Sequence, residues 1–99
     1  MKSVKKYNIN YTKEAKKKIE KLDPSIKSII KNSIESLLSN PFKGKPLSYE
    51  LAGLYSLRTS DYRIIYRVKE EKLIIIVISV GHRKEIYKKL KELVKKSKF

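Results

Sequence analysis

The fold is decided by residues 62–80, which read YRIIYRVKEEKLIIIVISV. Residues 62–68 alternate between two sets of side chains, the pattern of a β-strand whose two faces differ. Residues 73–80 are apolar at nearly every position, so they are predicted to form an interior strand covered on both faces. The charged residues 69–72 predict a turn, and the two strands should therefore pair in antiparallel fashion.

Further strands are predicted on either side of this pair. Residues 55–59 also alternate, and Ser60-Asp61 is predicted to form a tight turn, although it lacks the glycine that such turns favour. Near the N-terminus, residues 7–11 alternate tyrosine or isoleucine with asparagine, which predicts a half-buried strand.

Three helices are predicted between and after these strands. Thr12 can cap the first helix, and Asp23-Pro24 supplies a capping acid followed by proline at the first position of the second. The second helix should stop near Asn40-Pro41, and the third should run from Lys84 to about Lys96. Their inward faces are predicted to be Ala15, Ile19 and Leu22, then Ile26, Ile29, Ile30, Ile34, Leu37 and Leu38, then Ile86, Leu90, Leu93 and Val94.

The predicted element order is β-α-α-β-β-β-α. This is an α+β fold in which an antiparallel sheet packs against an N-terminal helical hairpin. Residues 42–49 are predicted to be a loop. The chain has 99 residues and contains no repeat or linker, so a single domain over residues 1–99 is expected.

The charge of the chain restricts its partners. Lys and Arg total 25 against 10 Asp and Glu, which gives a net charge of +15. Self-repulsion of this size destabilises a compact state, so a polyanionic partner is predicted: RNA, DNA, an anionic membrane or an acidic protein. A lysine-rich proteome is the other explanation.

Several classes of protein are disfavoured. The chain has no cysteine, which excludes disulfides and thiolate metal sites and fits the reducing cytoplasm. Residues 1–6 are basic but lead into no apolar segment, so no signal peptide is expected. The longest apolar run, 73–80, is far shorter than the roughly 20 residues that span a bilayer. No metal or cofactor is predicted.

The arginines are concentrated in one stretch, as Arg58, Arg63, Arg67 and Arg83. Only the guanidinium group offers a rigid fork of donors matched to phosphate. If Ser60-Asp61 is a two-residue hairpin loop, Arg58 lies directly across from Arg63, on a face that Ile65 and Arg67 share and that is predicted to be open. Like charges in such a pair are destabilising, so a phosphate between them is predicted, unless both side chains extend into water.

Arg83 and Tyr87 form a second pair of candidates. If the last helix already includes Arg83, the spacing of four residues puts both on one helical face. Tyr87 taken alone fits a core aromatic next to Ile86 equally well, and His82 taken alone fits a surface residue.

Four stretches resemble the RelE/ParE toxin superfamily. The central stretch is Asp61 to Val68 (DYRIIYRV), which is followed by Val77 to Tyr87 (VISVGHRKEIY). Asn40-Pro41 at the end of the helical hairpin and Leu51 to Arg58 (LAGLYSLR) fit the same pattern. The resemblance covers nearly the whole chain and implies the RelE-like fold described above.

The resemblance to RelE-type members also implies an activity. These toxins enter the ribosomal A site and cleave mRNA there through attack of the ribose 2′-hydroxyl on the adjacent phosphate, without a metal. By position, Arg63 resembles the arginine that stabilises the phosphate in the transition state, and Arg83 the arginine near the leaving group. Tyr87 resembles the proposed general base, and His82 is a reserve candidate for acid or base.

One departure from the family pattern concerns the strand before the hairpin. Well-studied members carry two lysines there, where this chain has Ser56 and Arg58. Arg58 keeps one charge as a further catalytic candidate, while Ser56 loses the other, which leaves the identity of the base open. RNA contacts are predicted for Lys43, Lys45, Arg58, Arg67 and Lys84.

The resemblance implies three partners: an acidic, RelB-like antitoxin in a toxin–antitoxin hetero-oligomer, the ribosome and mRNA. The main alternative is a ParE-like poison of DNA gyrase without RNA cleavage, a class expected to lack the pair formed here by Arg83 and Tyr87. Another is a non-enzymatic basic module that binds ribosomes or nucleic acid. A membrane-surface role is disfavoured, because the last helix has no aromatic anchor other than Tyr87.

Overall fold

The computed structural model describes residues 6–96, without the side chain of Lys96. Its elements are β1 (Asn8–Tyr11), α1 (Lys13–Glu20), α2 (Pro24–Ser36), β2 (Lys45–Pro46), β3 (Tyr55–Thr59), β4 (Tyr62–Lys69), β5 (Ile74–His82) and α3 (Ile86–Lys96), with short 3-10 helices at Tyr49–Leu51 and Glu70–Lys72. The predicted α+β fold is confirmed. The predicted loop 42–49 is wrong in one respect, since it contains the two-residue strand β2.

The five strands form one sheet in the order β1-β5-β4-β3-β2. The predicted antiparallel sheet is wrong in one pair: β1 runs parallel to β5, while the other neighbouring pairs are antiparallel. The apolar strand β5 lies inside the sheet as predicted, because residues buried on both faces cannot lie at an exposed edge. β2 is an edge strand of two residues that ends in Pro46, and proline is tolerated at such an edge because it has no N–H to donate.

The helical hairpin covers one face of the sheet. The buried cluster beneath it consists of Ala15, Ile19, Ile30, Ile34, Leu37, Leu57, Ile64, Tyr66, Ile75, Val77 and Val80. Thr12 caps α1 as predicted, since its hydroxyl accepts a hydrogen bond from the N–H of Ala15 at 3.1 Å. The predicted inward face of α2 was too wide, because Ile29 and Leu38 are 46% and 41% exposed.

The opposite face of the sheet is not open where the alternation predicted it to be. Ile65 is fully buried there in a second cluster with Leu51, Leu54, Ile78, Ile86 and Leu90. Two of these residues belong to α3, so the last helix packs on the sheet face that lies away from the hairpin. The remaining uncovered part of this face, beyond the start of α3, is where the candidate site lies.

The start of α3 differs from the prediction. Residues 82–85 form a turn in which the N–H of Glu85 donates to the carbonyl of His82 at 3.0 Å, and the helix begins at Ile86. Arg83 therefore precedes the helix, and its relation to Tyr87 does not follow from helical spacing. No helix in the described part of the chain is long and apolar enough to cross a membrane.

Candidate active site

A groove of about 530 Å³ opens on the sheet face beside the start of α3. It is lined by Lys45, Ser56, Arg58, Arg63, Arg83, Lys84 and Tyr87. We call this set the arginine groove. It gathers side chains from β2, β3, β4, the turn after β5 and α3, and its lining holds five cationic groups and no carboxylate. Such a surface favours an anionic ligand.

Arg58 and Arg63 face each other across β3 and β4, as the hairpin register predicted. The Arg63 guanidinium donates to the carbonyl of Tyr62 at 2.8 Å and to that of Ser60 at 3.2 Å. Arg58 lies directly opposite and is exposed. One arginine of the pair is thus oriented by backbone oxygens, while the other extends from the neighbouring strand toward the same groove.

The turn between β3 and β4 contacts two arginines of the groove, Arg63 and Arg83. Ser60 has φ of 56°, a left-handed conformation that costs a residue other than glycine free energy. The carbonyl of Asp61 accepts a hydrogen bond from the N–H of Arg83 at 2.8 Å. The Asp61 carboxylate also lies 3.8 Å from Nε of Arg83. The turn therefore fixes Arg83 beside Arg63 although the two are distant in the sequence.

Tyr87 reaches the groove from α3 and contacts β3. Its phenolic oxygen lies 2.8 Å from Oγ of Ser56, and either atom can be the donor. Ser56 is buried, while Tyr87 is half-buried. The reading of Ser56 as a position that had merely lost a charge missed this contact. The one signal in the sequence was that Ser56 departs from the pattern that the family resemblance implies.

The backbone beneath Lys45 is held by a buried hydrogen bond. The N–H of Gly44 donates to the phenolic oxygen of Tyr66 at 2.8 Å. Burial raises the pKa of Tyr66 above its ordinary value of 10.0, more than the hydrogen bond from Gly44 lowers it. A Cβ at position 44 would lie 2.7 Å from that oxygen, so glycine is the residue that permits this close approach.

Three of the predicted site residues do not line the groove. Lys43 donates from Nζ to Oγ of Ser36 on α2 at 3.3 Å. Arg67 lies farther along β4, paired with Ile76. The structure brings together Lys45, Arg58, Arg63, Arg83, Lys84 and Tyr87, and leaves Lys43, Arg67 and His82 outside.

His82 lies outside the groove because it points to the other face of the sheet. Its ring centroid is 5.9 Å from that of Tyr62, in edge-to-face geometry. Tyr62 packs against the cluster beneath the helical hairpin. Nδ1 of His82 accepts a hydrogen bond from the N–H of Lys84 at 3.3 Å. The reserve candidate is therefore turned away from the arginines.

The groove chemistry is that of phosphate recognition. Guanidinium groups remain protonated and present paired donors to phosphate oxygens, while a phenol can both donate and accept a hydrogen bond. Among residues 6–96, no group of three or more His, Cys, Asp or Glu is placed to hold a metal ion.

The fold and the groove define a small basic α+β protein whose cationic groove is suited to phosphate groups. The chain matches, over residues 9–87, the family model for the ParE toxin of the type II toxin–antitoxin system, parDE. It belongs to this family of type II toxins.

Individual relatives place it among the RelE-type toxins of that family. The chain is 34% identical to toxin RelG of Mycobacterium tuberculosis, across 84% of this chain and 98% of the relative. It is 32% identical to the mRNA interferase toxin RelE of Escherichia coli, across 82% of this chain and 90% of the relative. The RelBE2 toxin–antitoxin complex of M. tuberculosis aligns with a TM-score of 0.71 at 34% identity, across 79% of this chain and 99% of that chain. The isolated RelE toxin of E. coli aligns with a TM-score of 0.69 at 27% identity, across 89% of this chain and 98% of that chain.

Proposed function

We propose that this protein is an mRNA interferase that cleaves messages bound in the ribosomal A site in the cytoplasm. The observation that carries the proposal is the convergence of Arg58, Arg63, Arg83 and Tyr87 on one groove. Membership of the RelE-type toxins, among them a relative named as an mRNA interferase, supports RNA as the anion that fills it.

The arginine groove binds the RNA backbone in this proposal. Lys45 and Lys84 add charge at its margins, so that cationic groups surround a bound phosphate. Arg63 is held in place by backbone carbonyls before RNA arrives. Donors that are oriented in advance stabilise developing charge without reorganising during the reaction.

Cleavage proceeds by transfer within the RNA. The ribose 2′-oxygen attacks the adjacent phosphorus, and its proton passes to the side-chain oxygen of Tyr87, which acts as the general base. The bond from phosphorus to the 5′-oxygen breaks, which leaves a cyclic phosphate, and the departing oxygen takes a proton from solvent. Arg63 stabilises the charge on the phosphorane, and Arg83 stabilises the departing oxygen. The step uses these side chains and a solvent proton, and requires no metal ion.

An acidic antitoxin is the proposed inhibitor. The net charge of +15 favours an acidic partner, and related toxins have been solved as complexes with their antitoxins. An antitoxin that places carboxylates near Arg58, Arg63 and Arg83, or that moves α3 and with it Tyr87, would disable the site. The expected assembly is a toxin–antitoxin hetero-oligomer.

The first experiment compares ribosome-bound with naked RNA. Induced alone, the protein should arrest growth and cleave ribosome-bound messages, while free RNA of the same sequence stays largely intact. Efficient cleavage of free RNA in EDTA would contradict dependence on the ribosome. Arrest with intact messages and broken chromosomes would instead indicate the gyrase-poison function, and binding without any cleavage would indicate a non-enzymatic module.

The second experiment assigns the residues. Arg83→Ala should abolish cleavage with the fold retained, Arg63→Ala should be severely impaired, and Tyr87→Phe tests the phenolic oxygen alone. Lys31→Ala, which removes one charge from exposed α2 on the hairpin side, is the control and should cleave normally. Normal cleavage by Arg83→Ala would show that the site is wrong. Full cleavage by Tyr87→Phe together with loss in His82→Ala would transfer the acid–base role to His82.

A further inference from the structure

Ser56 and Tyr87 form a hydrogen-bonded pair that joins β3 to α3 inside the arginine groove. We propose that Ser56 is the positioning residue for the Tyr87 oxygen, an inference that rests on the cleavage reaction proposed above. The two oxygens are 2.8 Å apart, within the range of a strong hydroxyl–hydroxyl hydrogen bond. Ser56 is only 6% exposed, so water competes little for this contact.

The position of Ser56 makes it a rigid reference point. It lies on a strand paired on both sides, with Lys45 of β2 opposite it on one side and Ile65 of β4 on the other. Its hydroxyl is attached through a single carbon, so few rotamers are available. A lysine at the same position would carry its ammonium on a flexible four-carbon chain.

Tyr87 lies in the first turn of α3, so its side chain is not held by the helix interior and gains from a fixed partner such as Ser56. Ile86 and Leu90 anchor α3 in the core and are 2% and 0% exposed, but Tyr87 itself is half-buried. Its phenolic oxygen is the atom farthest from the backbone, where small rotations of the side chain move it most. The bond to Ser56 fixes that oxygen at the edge of the groove.

Serine also suits the proton movement assigned to this oxygen. A hydroxyl both donates and accepts hydrogen bonds, whereas a lysine ammonium only donates. Ser56 can donate to the Tyr87 oxygen before the 2′-proton arrives, and can either donate or accept afterwards. The pair therefore keeps its hydrogen bond throughout the step. This chain therefore has an orienting group at position 56 without the lysine that the family resemblance implies there.

The kinetic test uses Ser56→Ala, Ser56→Thr, Tyr87→Phe and the double variant Ser56→Ala/Tyr87→Phe on ribosome-bound message. Displacement of a reacting oxygen costs up to about 100-fold in rate, so Ser56→Ala should lower kcat by roughly 10–100-fold and change KM little. Ser56→Thr keeps the hydroxyl and should retain most of the rate. Ser79→Ala removes a buried serine hydroxyl from β5 outside the groove lining and is the matched control.

Comparing the effect of Ser56→Ala on kcat in the wild-type and Tyr87→Phe backgrounds shows whether Ser56 acts through Tyr87. In the Tyr87→Phe background, Ser56→Ala should cause almost no further loss of kcat, because the oxygen that it positions is already gone. Unchanged kcat in Ser56→Ala would overturn the inference. The inference would also be overturned if Ser56→Ala lowered kcat as much in the Tyr87→Phe background as in the wild type, since Ser56 would then act on another group.

A measurement without RNA separates this inference from the proposed function. The reductions in Tm from Ser56→Ala and Tyr87→Phe should be less than additive in the double variant, because each substitution removes the same hydrogen bond. Additive reductions would overturn the pairing whatever the activity. If the Tm reductions are less than additive but the wild-type protein fails to cleave ribosome-bound message, the proposed function is overturned while the pairing of Ser56 and Tyr87 stands.

Discussion

Asp61 holds Arg83 through both its backbone and its side chain. Its carbonyl accepts the N–H of Arg83 at 2.8 Å, and its carboxylate lies 3.8 Å from Nε. The backbone contact fixes where the residue sits, whatever side chain position 61 carries. The carboxylate contact is half-exposed, with side chains 50% and 66% accessible, so it adds little stability and little restraint on the guanidinium.

Asp61→Asn should therefore bind RNA more tightly. The change removes a negative charge beside a phosphate-binding group and leaves the backbone hydrogen bond in place. We expect KM for ribosome-bound message to fall a few-fold, with Tm nearly unchanged, since exposed ion pairs contribute about 0–1 kcal/mol. Glu50→Gln, which breaks the exposed pair with Lys91 at 3.3 Å, is the control and should leave KM unchanged. A loss of cleavage as large as that of Arg83→Ala would show instead that the carboxylate is needed to orient Arg83.

Arg58→Gln should lower the cleavage activity without lowering the thermal stability. Arg58 and Arg63 are directly opposed across two strands, and removing one charge relieves a repulsion that costs up to about 1 kcal/mol. Tm should stay level or rise. A hydrogen bond to a charged group contributes about 1.5–3 kcal/mol, so kcat/KM should fall at least about tenfold. Thermal melts and single-turnover cleavage measure the two effects.

Lys27→Gln, the matched change of charge on α2, should alter neither quantity appreciably. A drop in Tm for Arg58→Gln would mean that the two arginines are not in repulsion in the free protein. An unchanged kcat/KM would place the bound phosphate away from Arg58.

The opposition of Arg58 and Arg63 could be predicted because register in a short hairpin follows from the length of its turn. Ser60-Asp61 forms that turn, and the alternation of β4 then assigns Ile64 and Tyr66 to the core. The burial of Ile65 was missed because an apolar residue between two arginines gives no indication of which helix covers it.

The contact between Ser56 and Tyr87 was beyond local reasoning. It depends on how α3 packs on the sheet, and therefore on tertiary packing rather than on any spacing in the sequence. The start of α3 was placed too early because residues 83–85 have no feature that forbids a helix, and a turn hydrogen bond from Glu85 to His82 decides the boundary. β2 was missed because two residues are too few to show alternation.

Tyr66→Phe should destabilise the protein at neutral pH. The hydroxyl of Tyr66 accepts the N–H of Gly44 at 2.8 Å, and its loss leaves a buried donor without this partner, at a cost of about 1–3 kcal/mol. Urea melts measure the change. Tyr49→Phe, which removes the hydroxyl of a ring that is 91% exposed, is the control and should be neutral. Equal stability of Tyr66→Phe and wild type would mean that the Gly44 N–H finds another partner.

Tyr66 should also make the stability of the protein depend on pH in the alkaline range. Burial raises the pKa of Tyr66 in the folded protein above the ordinary value of 10.0, so deprotonation favours the unfolded chain. The stability that the neutral phenol contributes is complete below pH 10 and declines as the pH rises toward the folded-state value. Tyr66→Phe lacks this ionisation, so its disadvantage relative to wild type should shrink above pH 10. A disadvantage that stays constant from pH 8 to pH 11 would contradict the role of burial.

Association with the acidic antitoxin should be fast and sensitive to salt. Opposite net charges steer encounter, and this acceleration is screened as ionic strength rises, whereas apolar contacts set the dissociation rate. Stopped-flow and surface-plasmon measurements with the cognate antitoxin should show an association rate that falls on the order of tenfold or more from low to high salt, with dissociation changed little. The double variant Arg58→Gln/Arg83→Gln should reduce that salt dependence more than Lys27→Gln/Lys31→Gln, because inhibition is proposed to place acidic groups in the arginine groove. A flat association rate would refute steering, and equal effects of the two double variants would place the acidic contact elsewhere on the surface.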